Sequence, residues 1–143
     1  MNTSLAIFLH SHDYDRLYQA ASMVLSGTSM GWSCHLFLFY QALGSYLEGD
    51  WDDTDTVGGG LSQGQSIWSA KLRQGFETSN VPSLYEMLEK SREGEGKLIV
   101  YACSASVKVL GFDIDTVRQK ADEIVGLPTM LGIAGNATHT LYI

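Results

Sequence analysis

Two unbroken apolar runs with a helical segment between them constrain the fold most. Residues 5–9 read LAIFL and residues 34–40 read CHLFLFY. A strand with one wet face alternates apolar and polar residues, whereas a run without alternation fits a strand covered on both faces, as in a parallel sheet. Between the runs Leu17, Ala20, Ala21, Val24, Leu25 and Thr28 recur at helical spacing. Ser11 or Asp13 can cap the start of that helix, and Gly31 stands where a left-handed C-terminal cap belongs. Strand, helix and strand within about forty residues make a βαβ unit, with parallel pairing and a right-handed crossover.

Downstream the same alternation continues after an interruption. Residues 48–80 (EGDWDDTDTVGGGLSQGQ and beyond) lose their periodicity and read as a flexible acidic and glycine-rich loop, with a short helical piece near 67–72. Such a stretch buries too little apolar area to offset its ordering entropy, so mobility is expected over about 50–65. Leu84, Met87 and Leu88 mark a helix running towards Arg92, with Pro82 in its first turn, and EGEG at 93–96 ends it. A strand at 98–102, a short helix at 104–110 and a longer helix at 113–124 follow. GLPTMLGIAG then turns the chain into a last strand at 140–143. At 143 residues and 45% hydrophobic composition, one domain spanning 1–143 follows, of α/β class, a three-layer α/β/α sandwich around a parallel sheet of about five strands.

Charge and cysteine usage exclude several functions. A net charge of -7 repels phosphate backbones and anionic lipid surfaces, so neither nucleic acid nor membrane is an expected partner. The first apolar run stops at His10 and lacks a basic leader, so neither a signal peptide nor a membrane span is read there, and a cytoplasmic protein is expected. Two cysteines make no disulfide framework. Cys34 opens its strand and Cys103 closes another, so the two lie at opposite sheet edges, too far apart to pair.

In an open parallel sheet, ligands bind beyond the carboxyl ends of the strands. That edge collects His10, Ser11 and His12 after the first strand, Tyr40 and Gln41 after the second, and Cys103 with Ser104 after the strand at 98–102. In ACSASVKVLG, a helix beginning at Ser104 aims its free N–H groups at the Cys103 sulfur, a setting that favours a thiolate. Position alone leaves Cys103 either a nucleophile, partly accessible at its turn, or a small buried hydrophobe. Cys34, at the other edge, reads as packing. His10 and His12 lack the companions of a metal site, so no metal is expected, and their functional reading is assistance to the thiol. His139 reads as surface or interface. The glycines at 58–60 follow no strand and precede no GK[ST], so they are not a phosphate cradle. The run Asp50, Asp52, Asp53, Asp55 around Trp51 reads as solvated charge.

Three segments resemble the DsrE/DsrF-like family of small sulfur-relay proteins. MGWSCHLFLF is similar to that family's glycine and aromatic-rich second strand, ACSASVKVLG to its cysteine segment, and VGLPTML to its late glycine turn. The chain departs from the family in carrying the glycine after the second strand at Gly44, and Ala105 and Leu110 in place of methionines near the cysteine. The resemblance implies a homo-oligomer, trimer or hexamer, in which Cys103 takes sulfane sulfur as a persulfide and exchanges it with a sulfur-carrier protein's thiol, without a cofactor. His10, His12, Tyr40, Ser104 and Ser106 are then the supporting candidates. The other reading of the same fold is a non-catalytic subunit or small-molecule binding module with a structural cysteine. A thiol oxidoreductase is disfavoured for want of a resolving cysteine.

Overall fold

The computed structural model describes residues 2–59 and 67–143. Its five strands are β1 (Ser4–Leu9), β2 (Ser33–Leu38), β3 (Lys97–Cys103), β4 (Glu123–Val125) and β5 (His139–Tyr142). They form one all-parallel sheet in the order β4-β3-β2-β1-β5. From β1 to β4 each strand adds on the same side of its predecessor. The chain then returns past β1 to set β5 on the opposite side, so the order reverses between β1 and β5. The described helices are α1 (Tyr14–Ser29), α2 (Tyr40–Glu48), α3 (Ile67–Thr78), α4 (Leu84–Ser91), α5 (Ser104–Leu110), α6 (Ile114–Lys120) and α7 (Leu127–Gly135).

Because strand side chains alternate, the register sorts the apolar runs into two cores. Leu5, Ile7, Leu9, Cys34, Leu36, Leu38, Val100 and Ala102 face one layer, where α1, α2, α4, α5 and α6 supply Val24, Leu43, Leu84, Val107 and Val117. Ala6, Phe8, Phe37, Tyr101 and Cys103 face the other, where α7 supplies Met130 and Ile133. The expected three-layer α/β/α sandwich is the observed architecture. Gly96 enters β3 against α1 so closely that a Cβ there would lie 2.7 Å from the Thr28 Cα and collide with the Trp32 carbonyl. Only glycine fits that approach.

Several expected boundaries differ. The stretch at 48–80 is not one loop, since α2 runs to Glu48 and α3 covers twelve of its residues, well beyond the short piece expected at 67–72. Trp51 and Val57 are fully buried, so the acidic turn is anchored in the first core. The indole N–H of Trp51 donates to the Ala42 carbonyl at 3.0 Å. Asp52 is not merely solvated, because its carboxylate accepts from the Leu84 N–H at 2.7 Å and the Ser83 hydroxyl at 2.6 Å, capping α4. Of the triple glycine and the segment expected to be mobile, Gly60 and residues 61–65 lie outside the described residues. Pro82 precedes the Ser83 N-cap of α4. The helix expected at 113–124 is shorter, because residues 123–125 pair with β3 as β4. Residues 127–135 are a helix, with Pro128 in its first turn, where an irregular turn was expected.

Candidate functional site

The carboxyl ends of β1, β2 and β3 gather most of the candidates. Cys103 is the last residue of β3 and the N-cap residue of α5, with extended φ −67° and ψ 121° and no side-chain capping bond. Its register partner on β4 is Val125, and the next residue, Gly126, is the N-cap of α7. Two helices therefore begin beside the thiol. Yet Cys103 is only 4% exposed, enclosed in a cluster with Phe8, Phe37, Phe39, Tyr101 and Met130, so partial accessibility is not observed. The reason is α7, which lies over this face and buries Met130 completely in the same cluster.

The turn after β2 is tied to the helix after Cys103. Ser106 is fully buried, and its Oγ accepts a hydrogen bond from the Tyr40 N–H at 3.1 Å. Tyr40 holds φ +43°, a left-handed conformation that is uncommon outside glycine and is kept only where surroundings over-determine it. Gly44, the displaced glycine, lies inside α2, where an added Cβ would meet Leu110 at an ordinary 3.8 Å, so it relieves no strain. Ser104 is exposed, with its Oγ against Gly126.

His10 stacks on Phe39 with ring centroids 4.6 Å apart and stands 6.1 Å from the Tyr40 ring. Among the described residues no hydrogen bond joins Cys103 to His10 or His12. Instead both imidazoles line a cavity of about 510 Å³ with Asp13, Arg16, Gln41 and Tyr142, and Cys103 is not in its wall. No group of three or more His, Cys, Asp or Glu side chains among the described residues is arranged to hold a metal. No described helix is long and apolar enough to cross a membrane.

One polar pair escaped the reading of the sequence. His35 Nδ1 lies 2.9 Å from the Tyr101 hydroxyl, on the face covered by α7. Burial pushes the His35 pKa down, against the opposing pull of the Glu123 charge. Burial, then the Glu123 and Asp122 charges, push the Tyr101 phenol up to about 12. Both residues interrupt apolar runs, and only the register of β2 against β3 shows that they meet. Met130 was equally hidden, inside a segment read as a turn. Cys34 is packed under α1 with 1% exposure, and burial pushes its thiol up to about 11.

The chain matches no protein-family model and no curated protein.

Proposed function

We propose that the protein carries sulfane sulfur on Cys103 as a persulfide and passes it to a partner protein's thiol. The observation that carries this reading is the placement of Cys103 at the carboxyl-end turn of an interior strand, beside the starts of α5 and α7. Backbone N–H groups at helix starts stabilise an adjacent anionic sulfur. The likeness of ACSASVKVLG to a sulfur-relay segment supports the same assignment. In the step itself the Cys103 thiolate attacks the sulfane sulfur of a donor, a new S–S bond forms, the donor's S–S bond breaks, and the donor's residual thiolate or sulfite leaves with the electron pair. The acceptor thiolate then attacks the outer sulfur and Cys103 departs as thiolate, so no external oxidant or reductant is consumed. Access to the thiol requires the edge around α7 to open.

A homo-oligomer, trimer or hexamer, in the cytoplasm belongs to the same proposal. Residues 124–143 contain no Asp, Glu, Lys or Arg. Within them Leu127 and Leu131 of α7 are 48% and 52% exposed, an apolar helix face suited to burial between subunits.

The enclosure of Cys103 favours a second reading, a small-molecule binding module in which the cysteine is structural. Intact-mass measurement after incubation with thiosulfate, polysulfide or a persulfidated donor separates the two. The sulfur carrier gains about 32 Da per sulfur atom, lost on reduction. The adduct should persist in Cys34→Ser and vanish in a folded Cys103→Ser. Adduct retained in Cys103→Ser, or none in the folded native protein, hands the function to the binding module.

A further inference from the structure

The order of the sheet reverses between β1 and β5, and in open parallel sheets the crevice at such a reversal is where ligands bind. The 510 Å³ cavity opens at that point, between the turn after β1 and the end of β5. Its size falls within the about 300 to 1,000 Å³ of sites that enclose metabolite-sized molecules.

The lining is specific in kind. Four rings form a ladder across the edge, His10 on Phe39, Phe39 on Phe8 and Phe8 on Tyr142, with centroids 4.6, 5.9 and 4.8 Å apart and interplanar angles of 15°, 19° and 24°. The two end rings, His10 and Tyr142, line the cavity and are exposed. Stacking on buried phenylalanines fixes them in place, which removes rotamer entropy that binding would otherwise cost. Arg16 lies in the same wall, exposed, and among the described residues its guanidinium makes no ion pair or hydrogen bond. The side chains of His12 and Gln41 are likewise without a hydrogen-bond partner among the described residues and can donate. Asp13 supplies a carboxylate acceptor in the same wall.

We infer that this cavity binds a nucleoside monophosphate-like ligand: a flat heteroaromatic ring against His10 or Tyr142, an anionic group on Arg16, and hydroxyl or amine donors to Asp13. Arg16, unpaired among the described residues, is the cation of the wall and can hold an anionic group in a charge-assisted pair, while Asp13 in the same wall is left to accept from neutral donors. The site does not include Cys103, so it stands whether or not that cysteine carries sulfur.

Calorimetric titration of the full chain with AMP and GMP tests this, with adenosine and inorganic phosphate as the ring-only and anion-only probes. At least one nucleotide should bind saturably at millimolar concentration or below, with adenosine and phosphate each weaker. Arg16→Gln should weaken that nucleotide about tenfold or more, as loss of a charge-assisted hydrogen bond does. In amide NMR spectra of the native protein, the nucleotide should shift residues 10–13, 16, 41 and 142. No saturable nucleotide binding, adenosine bound as tightly as its phosphate, or binding indifferent to a folded Arg16→Gln each overturns the inference. Sulfur loading is read by mass rather than by nucleotide affinity, so the two proposals fail separately.

Discussion

The two faces of the sheet are built from the same strands yet covered unequally. Helices α1, α2, α4, α5 and α6 cover one face, where the strands contribute aliphatic side chains such as Leu36, Leu38 and Val100 and the surrounding segments add Tyr14, Tyr46 and Trp51. The other has α7, nine residues long, over an aromatic layer of Phe8, Phe37, Phe39 and Tyr101. The first face reads as the stabilising half of the molecule. The second carries the candidate thiol, the part-buried His35–Tyr101 pair, the ring ladder and the exposed apolar side of α7. The proposed sulfur transfer is placed where the cover is thinnest, because a thin cover can open or dock at low cost.

The largest expected effect falls on the first face. Trp51 is fully buried there and its indole is satisfied, so Trp51→Ala should cost about 3–5 kcal/mol in urea unfolding. A loss below 1 kcal/mol would remove residues 50–57 from the core and erase part of the contrast. Met130→Ala on the second face should cost less, about 2 kcal/mol, at the low end for such truncations because α7, the one helix over that face among the described residues, can settle into the space. A cost equal to that of Trp51→Ala would mean that both faces are held equally firmly.

A smaller effect separates the faces by pH. His35 has a lowered pKa in the folded protein, so the unfolded chain binds more protons below its ordinary value of 6.5. The stability tied to neutral His35 is complete above pH 6.5 and is lost as pH falls from there through the folded value. His35→Gln, which can still meet the Tyr101 hydroxyl, should flatten the dependence of the urea midpoint over that window. An unchanged slope would assign it to other groups.

How far the sequence anticipates this depends on whether a signal is local. Unalternating runs such as LAIFL are local, so the parallel sheet, α1 and the position of Cys103 at a turn were all legible. The pairing of β4, only three residues long, is set by contact with β3 and left no pattern of its own. The α7 helix leaves no local signature because three glycines and a proline at 126–135 outweigh the apolar residues between them. This helix has the largest consequence, since α7 turns an accessible thiol into an enclosed one. The apolar run CHLFLFY continues to Tyr40 without a break, and only the backbone shows that the chain turns there, at φ +43°.

The two cysteines give the finest probe of unequal cover, since static exposure scarcely separates them at 1% for Cys34 and 4% for Cys103. Alkylation of a buried thiol waits for an opening, and the opening differs at the two sites. Cys34 lies under the sixteen-residue α1, its sulfur 3.8 Å from the Val24 carbonyl, and exposing it means lifting α1 from the first core. Burial also holds its thiol up at about 11, so little thiolate exists there at neutral pH. Cys103 needs only the first turns of α5 and α7 to part at the sheet edge. In the native protein at neutral pH, Cys103 should therefore alkylate faster than Cys34 by about tenfold, equivalent to about 1.4 kcal/mol in opening free energy. Peptide mapping after timed iodoacetamide labelling measures both rates in one sample. A Leu127→Ser, Leu131→Ser double variant, which weakens any subunit contact through α7, should raise the Cys103 rate further and leave Cys34 unchanged if that helix is docked in an assembly. Equal rates at the two cysteines would show that both faces open together, and the second face would lose its claim to be the mobile, functional half.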